Sequence, residues 1–429
     1  LIHVFSSEYM KHDDGYSRFF AYMNLFVCSM LILVLANDLL LLYLGWEGVG
    51  LCSFLLIGFY YGDTKDAEKN ALAARKSFLV TRIGDTSMIL GFFLLVKTFN
   101  TLNISEILQA APSVWETDST TAIWAAALLL GGALGKSAQL PLQTWLPDAM
   151  AGPSPVSALI HAATMVTAGV YLLTRTYVLF ELAPTVQMAV AIIGAATLFI
   201  ASCSALAQDD IKRVLAYSTI SQIGYMFLAC GVGAWSAAIF HFMIHAFFKA
   251  LLFLGAGAVI LALHHEQNMF KMGGLRKKLP VVFWTFLFGS AALASIPLIT
   301  AGFYSKDAIL WYSFAGEKGS IWLWLAGVVS AFLTALYTFR MVFLTFFGEQ
   351  KTEVSHQPGL AIKVPLIILG ILSLVAGFIE LPHNFGHFAP FSEFLDKVLS
   401  PVKLVASPAI GEGILQLVAG GLALMGLFL

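Results

Sequence analysis

Apolar runs long enough to cross a bilayer alternate along the chain with short polar connections. They fall near 17–36, 38–60, 77–97, 122–141, 156–180, 186–207, 213–233, 236–263, 281–314, 321–347, 363–381 and 411–429. A hydrocarbon layer about 30 Å thick needs about 20 residues of helix. The pattern therefore predicts an all-α, polytopic membrane protein with about twelve transmembrane helices. Pro297 and the triplet Ser305, Lys306 and Asp307 interrupt the run 281–314 and mark a broken helix there. Strand-length alternation, the mark of an outer-membrane barrel, is absent.

Composition agrees: 59% of residues are hydrophobic and 11% charged, against about 25% charged in soluble domains. A net charge of −1 gives no reason to expect nucleic acid as a partner. The four cysteines, Cys28, Cys52, Cys203 and Cys230, lie in apolar runs without CxxC spacing, as small core residues do. No P-loop, no GxGxxG after a strand and no flavin, iron–sulfur or haem ligation pattern occurs. Energy would then come from a partner or an ion gradient. The chain begins at Leu1 and stops inside an apolar run, which reads as a fragment of a longer chain.

Charge in the loops orients the spans. Loop 61–76 carries Lys65, Lys69, Arg75 and Lys76, loop 264–280 carries Lys271, Arg276, Lys277 and Lys278, and Lys212 and Arg213 follow the sixth span. Loop 98–121 has neither Lys nor Arg. By the positive-inside rule the first set is cytoplasmic, or faces the matrix in a mitochondrion. Arg175, Lys318, Lys397 and Lys403 run against the bias. Lys212 reads as a surface orientation signal.

The densest chemistry lies in 131–169, which holds Lys136, Gln139, Asp148 and His161 among Pro141, Pro147, Pro153 and Pro155. Prolines break helices, and broken backbone at membrane depth has to be buried or face water. A lysine at the centre of a membrane helix costs about 2.5–3.5 kcal/mol and so marks an ion or proton path; the alternative is that Lys136 snorkels to the headgroups. Leu140–Thr144 (LPLQT) also matches 296–300 (IPLIT), each at a helix break with a lysine nearby. This predicts two inverted five-helix halves, 16–180 with a break near 136–150 and 186–347 with a break near 297–307, after a loop 1–15 and before C-terminal helices at 363–429.

Candidate relay residues follow. Glu47, within LGWEGVG, would pair with Lys136 and govern when that amine holds its proton, unless the pair is a fixed structural one. Asp85 would serve an intake route or pair with Arg82. His161 would link the halves or be a packing residue. His241, His245 and Lys249 recur at i, i+4 and i+8, a polar stripe with steps of about 6 Å on a helix. The stripe suits proton hopping through water, although HxxxH also raises zinc, here without a third ligand. Lys306 and Asp307 would form the far end of the path, unless the two charges neutralise each other. GxxxG at Gly131 and Gly135 is a helix-packing signal.

The stretches LGWEGVGLCSFLLIGFYY, TRIGD, GKSAQLPLQTWLPDAMAGPSPVSALIHAATMVTAGVYL, DDIKRVLAYSTISQIGYM, HAFFKALLFL, HHEQNMFKMGGLRKK and AGFYSKDAIL together resemble the large antiporter-like membrane subunit of respiratory complex I. The resemblance implies that Glu47 and Lys136 are its Glu–Lys pair, His161 its connecting residue, and His241, His245 and Lys249 its central polar axis. Lys306 would be its exit-side lysine, with Asp85 and Asp307 as neighbouring acids. It further implies a bacterial inner membrane or, in an organelle, the mitochondrial one. Other membrane-arm subunits would be partners, including a neighbouring antiporter-like one, with FMN, iron–sulfur clusters and quinone on other subunits and no cofactor here. The first three helices and a C-terminal amphipathic helix would then be absent from this fragment. The rival readings are a large subunit of a multisubunit sodium/proton antiporter and a structural arm component that pumps nothing.

Overall fold

The protein is described by a computed structural model covering residues 1–429 except 63–65, 383–385, 387 and 406–409. Lys65, one of the loop cations, lies outside the described residues. The chain forms α1 (Ile2–Tyr9), α2 (Tyr16–Leu35), α3 (Leu39–Ile57), α4 (Ala67–Phe99), α5 (Ile104–Val114) and α6 (Thr120–Lys136). It continues through α7 (Ser154–Ala162), α8 (Ala168–Arg175), α9 (Tyr177–Glu181), α10 (Pro184–Leu206), α11 (Ile211–Gly231) and α12 (Trp235–Ala262). The remainder is α13 (Pro280–Leu293), α14 (Ala301–Ala315), α15 (Ile321–Phe346), α16 (Leu360–Val375), α17 (Pro390–Leu395) and α18 (Glu412–Phe428).

Among the described residues, nine helical stretches are long and apolar enough to cross a membrane, and three shorter apolar helices accompany them. With α13 and α14 taken as one span, they follow the twelve predicted runs in order. The protein is an all-helical, polytopic membrane protein. Leucines and aromatics such as Leu35, Leu44, Trp124 and Trp322 cover the outside, where hydrocarbon takes the place of a second protein layer. Helices α11 and α12 are buried over almost their whole length and form the axis of the bundle.

Polar capping fixes the helix ends. Asp38 accepts hydrogen bonds from the backbone of Leu40 and Leu41 at the start of α3, and Asp210 does the same for Lys212 and Arg213 at the start of α11. Each cap is clasped to a distant asparagine by a short antiparallel bridge, Asp38 with Asn103 and Asp210 with Asn268. The backbone bonds match: Leu39 to Leu102 and Ile104 to Asn37 in one clasp, Ile211 to Gln267 and Met269 to Asp209 in the other.

The chain departs from the predicted segmentation in four places. The expected loop 1–15 holds helix α1, whose Phe5 is fully buried. Lys69, Arg75 and Lys76, assigned to a loop, stand on the first turns of α4, whose 33 residues project beyond the bilayer. After Lys136 the chain runs through short 3-10 turns to α7, and helical geometry breaks again between Ala162 and α8. The second break occupies 294–300, so Lys306 and Asp307 sit inside α14. Two cations on the sparsely charged side are held by protein. Arg175 donates to Asn37 at 2.8 Å, and Lys318 donates to Gln187. Desolvation draws the half-buried Lys318 ammonium below the usual lysine range.

Candidate functional site

Glycine sets the first part of the site. A Cβ added at Gly84 would lie 2.8 Å from the Gly131 carbonyl oxygen and 3.0 Å from Gly135 Cα. Helices α4 and α6 therefore meet backbone against backbone. The residues that follow these glycines in sequence, Asp85 and Lys136, are thereby brought together. Lys136 Nζ lies 3.2 Å from Asp85 Oδ2, with both side chains 1% exposed. The other carboxylate oxygen of Asp85 accepts a hydrogen bond from Trp46 Nε1 at 2.6 Å, and the ammonium stands 5.8 Å from the centre of the Trp46 ring. Gly50 on α3 keeps the space beside it open, since a Cβ there would come within 2.8 Å of Nζ. Lys136 does not snorkel.

This arrangement replaces the expected Glu47–Lys136 pair. Glu47 Oε2 lies 2.6 Å from Arg82 Nη1 at a partly exposed position on the outer face of α3 and α4. Consecutive residues point about 100° apart on a helix, so α3 turns Trp46 onto Asp85 and Glu47 onto Arg82. Arg82 is likewise three residues from Asp85 but stands outside the glycine crossing. The expected Asp85–Arg82 alternative gives way for the same reason.

Lys212, read as a surface signal, is 3% exposed. Its ammonium donates to the carbonyls of Met150 and Gly152 at 2.6 and 2.7 Å, closing the 3-10 connector after α6. Asp148 in the same connector joins Lys76 at 2.5 Å and Arg213 at 2.9 Å. These groups border an open cavity of about 310 Å³ whose walls also include Gln143, Thr144 and Tyr217. No local sequence signal distinguishes Lys212 from its exposed neighbour Arg213; its partners come from a segment some sixty residues away.

The central groups lie beyond the connector. His161 is fully buried, its two ring nitrogens lack a hydrogen-bond partner among the described residues, and its ring stands 5.6 Å from Phe253 and 6.4 Å from Trp145. The break after α7 leaves the Ala162 carbonyl without a helical partner, and His245 Nδ1 meets it at 2.8 Å. A carbonyl only accepts, so that nitrogen carries the hydrogen and Nε2 of the neutral ring is left to accept. His241 follows, with its ring 6.3 Å from His245 and its Nδ1 2.9 Å from Ser305 Oγ on α14. Lys249 donates to Ser218 Oγ at 2.6 Å, and the same hydroxyl accepts from Tyr337 at 2.8 Å.

Lys306 donates at 2.5 Å to the carbonyl of Leu293, the last residue of α13. A cation at a helix C-terminus is favoured by the exposed carbonyl dipoles. Asp307 turns away and accepts from Gln416 at 2.6 Å. Among the described residues no ion pair joins it to Lys306, so mutual neutralisation does not describe the two. The sequence reading missed Gln416, an amide within an apolar final helix.

Buried acids and bases along the axis of the helical bundle, with helices broken beside two of its lysines, define an antiporter-like membrane protein. The chain belongs to the NADH:quinone oxidoreductase/Mrp antiporter membrane family: residues 36–334 match that family's sequence profile. Residues 1–20 match the N-terminus of chain 5 of NADH–ubiquinone oxidoreductase (complex I). The NADH-quinone oxidoreductase subunit L of Pseudomonas aeruginosa is 60% identical over 394 residues, covering 90% of this chain and 63% of that protein. Its Escherichia coli counterpart is 56% identical over 415 residues, covering 97% and 67%. A chain in the structure of the Mrp complex from Dietzia sp. DQ12-45-1b superposes with a TM-score of 0.83 at 30% identity, over 100% of this chain and 46% of that one. The chain thus spans about two thirds of the length of these curated relatives.

Proposed function

We propose that the chain is a proton-translocating membrane-arm subunit of a bacterial inner-membrane NADH:quinone oxidoreductase. The observation that carries this reading is the file of buried titratable side chains from Asp85 and Lys136, past His161, to His245, His241 and Lys306. An ammonium beside a carboxylate keeps its proton; when the carboxylate withdraws, the ammonium can release it to the next base. The Asp85–Lys136 ion pair, between α4 and α6, is where such a change would act on Lys136. The unpartnered nitrogens of His161, His241 and His245 are groups that bridging water would satisfy, completing hops between rings. NADH oxidation, with its flavin, iron–sulfur clusters and quinone, would take place on other subunits, and a neighbouring antiporter-like subunit would adjoin this one. The matched clasps at Asp38 and Asp210 support two halves of inverted topology.

The Dietzia likeness keeps the multisubunit antiporter reading in view. The subunit L relatives, at 56–60% identity against 30%, favour the first. The test is Lys136→Ala in the assembled complex, measured as protons moved per electron in membrane vesicles. A clear fall with quinone reduction retained is expected, and a wild-type ratio would sink the reading.

A further inference from the structure

The final helix is apolar on most of its surface, with Leu417 and Phe428 largely exposed, yet Gln416 is 8% exposed and faces α14. Its amide nitrogen is shared by two carboxylates. It lies 2.6 Å from Asp307 Oδ2 and 3.4 Å from Glu412 Oε1, one turn earlier on the same helix. Glu412 opens α18 and is partly exposed. Asp307 also borders, together with Lys306, Ser295, Ala419 and Gly420, a cavity of about 20 Å³, room for one water molecule. A Cβ at Gly420 would come within 2.9 Å of Pro297, so α18 rests directly on the second helix break. By the loop charges, the start of α18 is on the side of the membrane opposite the cationic loops.

We propose that Asp307, Gln416 and Glu412 form the outlet through which protons leave Lys306 for the outer aqueous phase, which rests on the relay reading above. The Lys306 ammonium gives a proton through a water in the small cavity to the Asp307 carboxylate, becoming a neutral amine that His241 and Ser305 can reload. Protonated Asp307 passes the proton to the Glu412 carboxylate, and Glu412 releases it to bulk water. One proton leaves, and both acids return to their carboxylate forms. Gln416 carries no proton; it is a positioning residue that holds the two carboxylates on one nitrogen, within the span of a single bridging water.

The test uses the assembled complex in membrane vesicles, reading quinone reduction and protons moved per electron. Lys306→Ala sets the full decrement. Glu412→Gln and Gln416→Leu are each expected to reproduce at least half of it with quinone reduction retained. Glu412→Asp, which keeps the acid, restores the ratio, as a merely structural role would not require. Glu317→Gln, an exposed acid on the same side, leaves it unchanged. A wild-type ratio in Glu412→Gln beside a lowered one in Lys306→Ala overturns the outlet alone, as does an equal loss in Glu317→Gln. A wild-type ratio in Lys306→Ala instead overturns the relay on which the outlet rests. If Gln416→Leu prevents assembly, Glu412→Gln decides, because its side chain is partly exposed and its shape is conserved.

Discussion

The Asp85–Lys136 pair illustrates what a single buried contact demands. Removing one partner of such a pair strands the other charge and costs about 3–5 kcal/mol, whereas replacing both with neutral groups of similar volume is often tolerated. Asp85→Asn should therefore loosen the protein, seen as lower retention of the subunit after detergent extraction. Asp85→Asn combined with Lys136→Met should recover much of that retention and still move no protons through this subunit. Additive losses in the double variant would show that the two side chains act separately. Most of the titratable residues were legible in the sequence because ionisable groups stand out in apolar runs; Lys212, read as a surface signal, and Glu412 were not. Nor were the partners. Whether Glu47 or Asp85 meets Lys136 depends on how α3, α4 and α6 are rotated about their axes, and only the glycine crossing decides that.

At the scale of elements, backbone contact between α4 and α6 is the device that places the pair. A branched side chain at Gly135 has nowhere to go, since its Cβ would already lie 3.1 Å from Gly84 Cα and 3.2 Å from the Thr81 carbonyl oxygen. Overpacking of this kind costs about 1–3 kcal/mol. Gly135→Val is expected to lower both assembly and proton movement, and blue-native electrophoresis of the membrane fraction would report the first. Gly131–Gly135 was readable as a packing motif, but its partner Gly84 and the identity of the facing helix were not. The break at 163–167 was equally hidden. Thr164, Met165 and Val166 carry no proline or glycine, and the interruption is explained by what it supplies, a free carbonyl at Ala162 for His245.

For the whole molecule, number, order and length of spans were almost fully written in hydropathy, because each span answers separately to the thickness of the bilayer. What hydropathy does not encode is which spans are interior. Helices α10, α11 and α12 are all long and apolar enough to span the bilayer, yet α11 and α12 carry the axis while α2 and α16 turn much of their surface to lipid. Purification at this scale separates the two transport readings. A tagged chain is expected to bring NADH dehydrogenase activity with it, and recovery with ion-antiporter subunits alone would reverse the assignment.

The two clasps, Asp38 to Asn103 and Asp210 to Asn268, each close within a short stretch of the chain. A ribosome-bound nascent chain could therefore lock α3 and α4 together as soon as residue 104 has emerged, well before Lys249 or Lys306 has been synthesised. An intermediate in the bilayer would then contain α3 and α4 as a stapled helical hairpin already presenting Trp46 and Asp85 on facing helices, with Lys136 still to arrive.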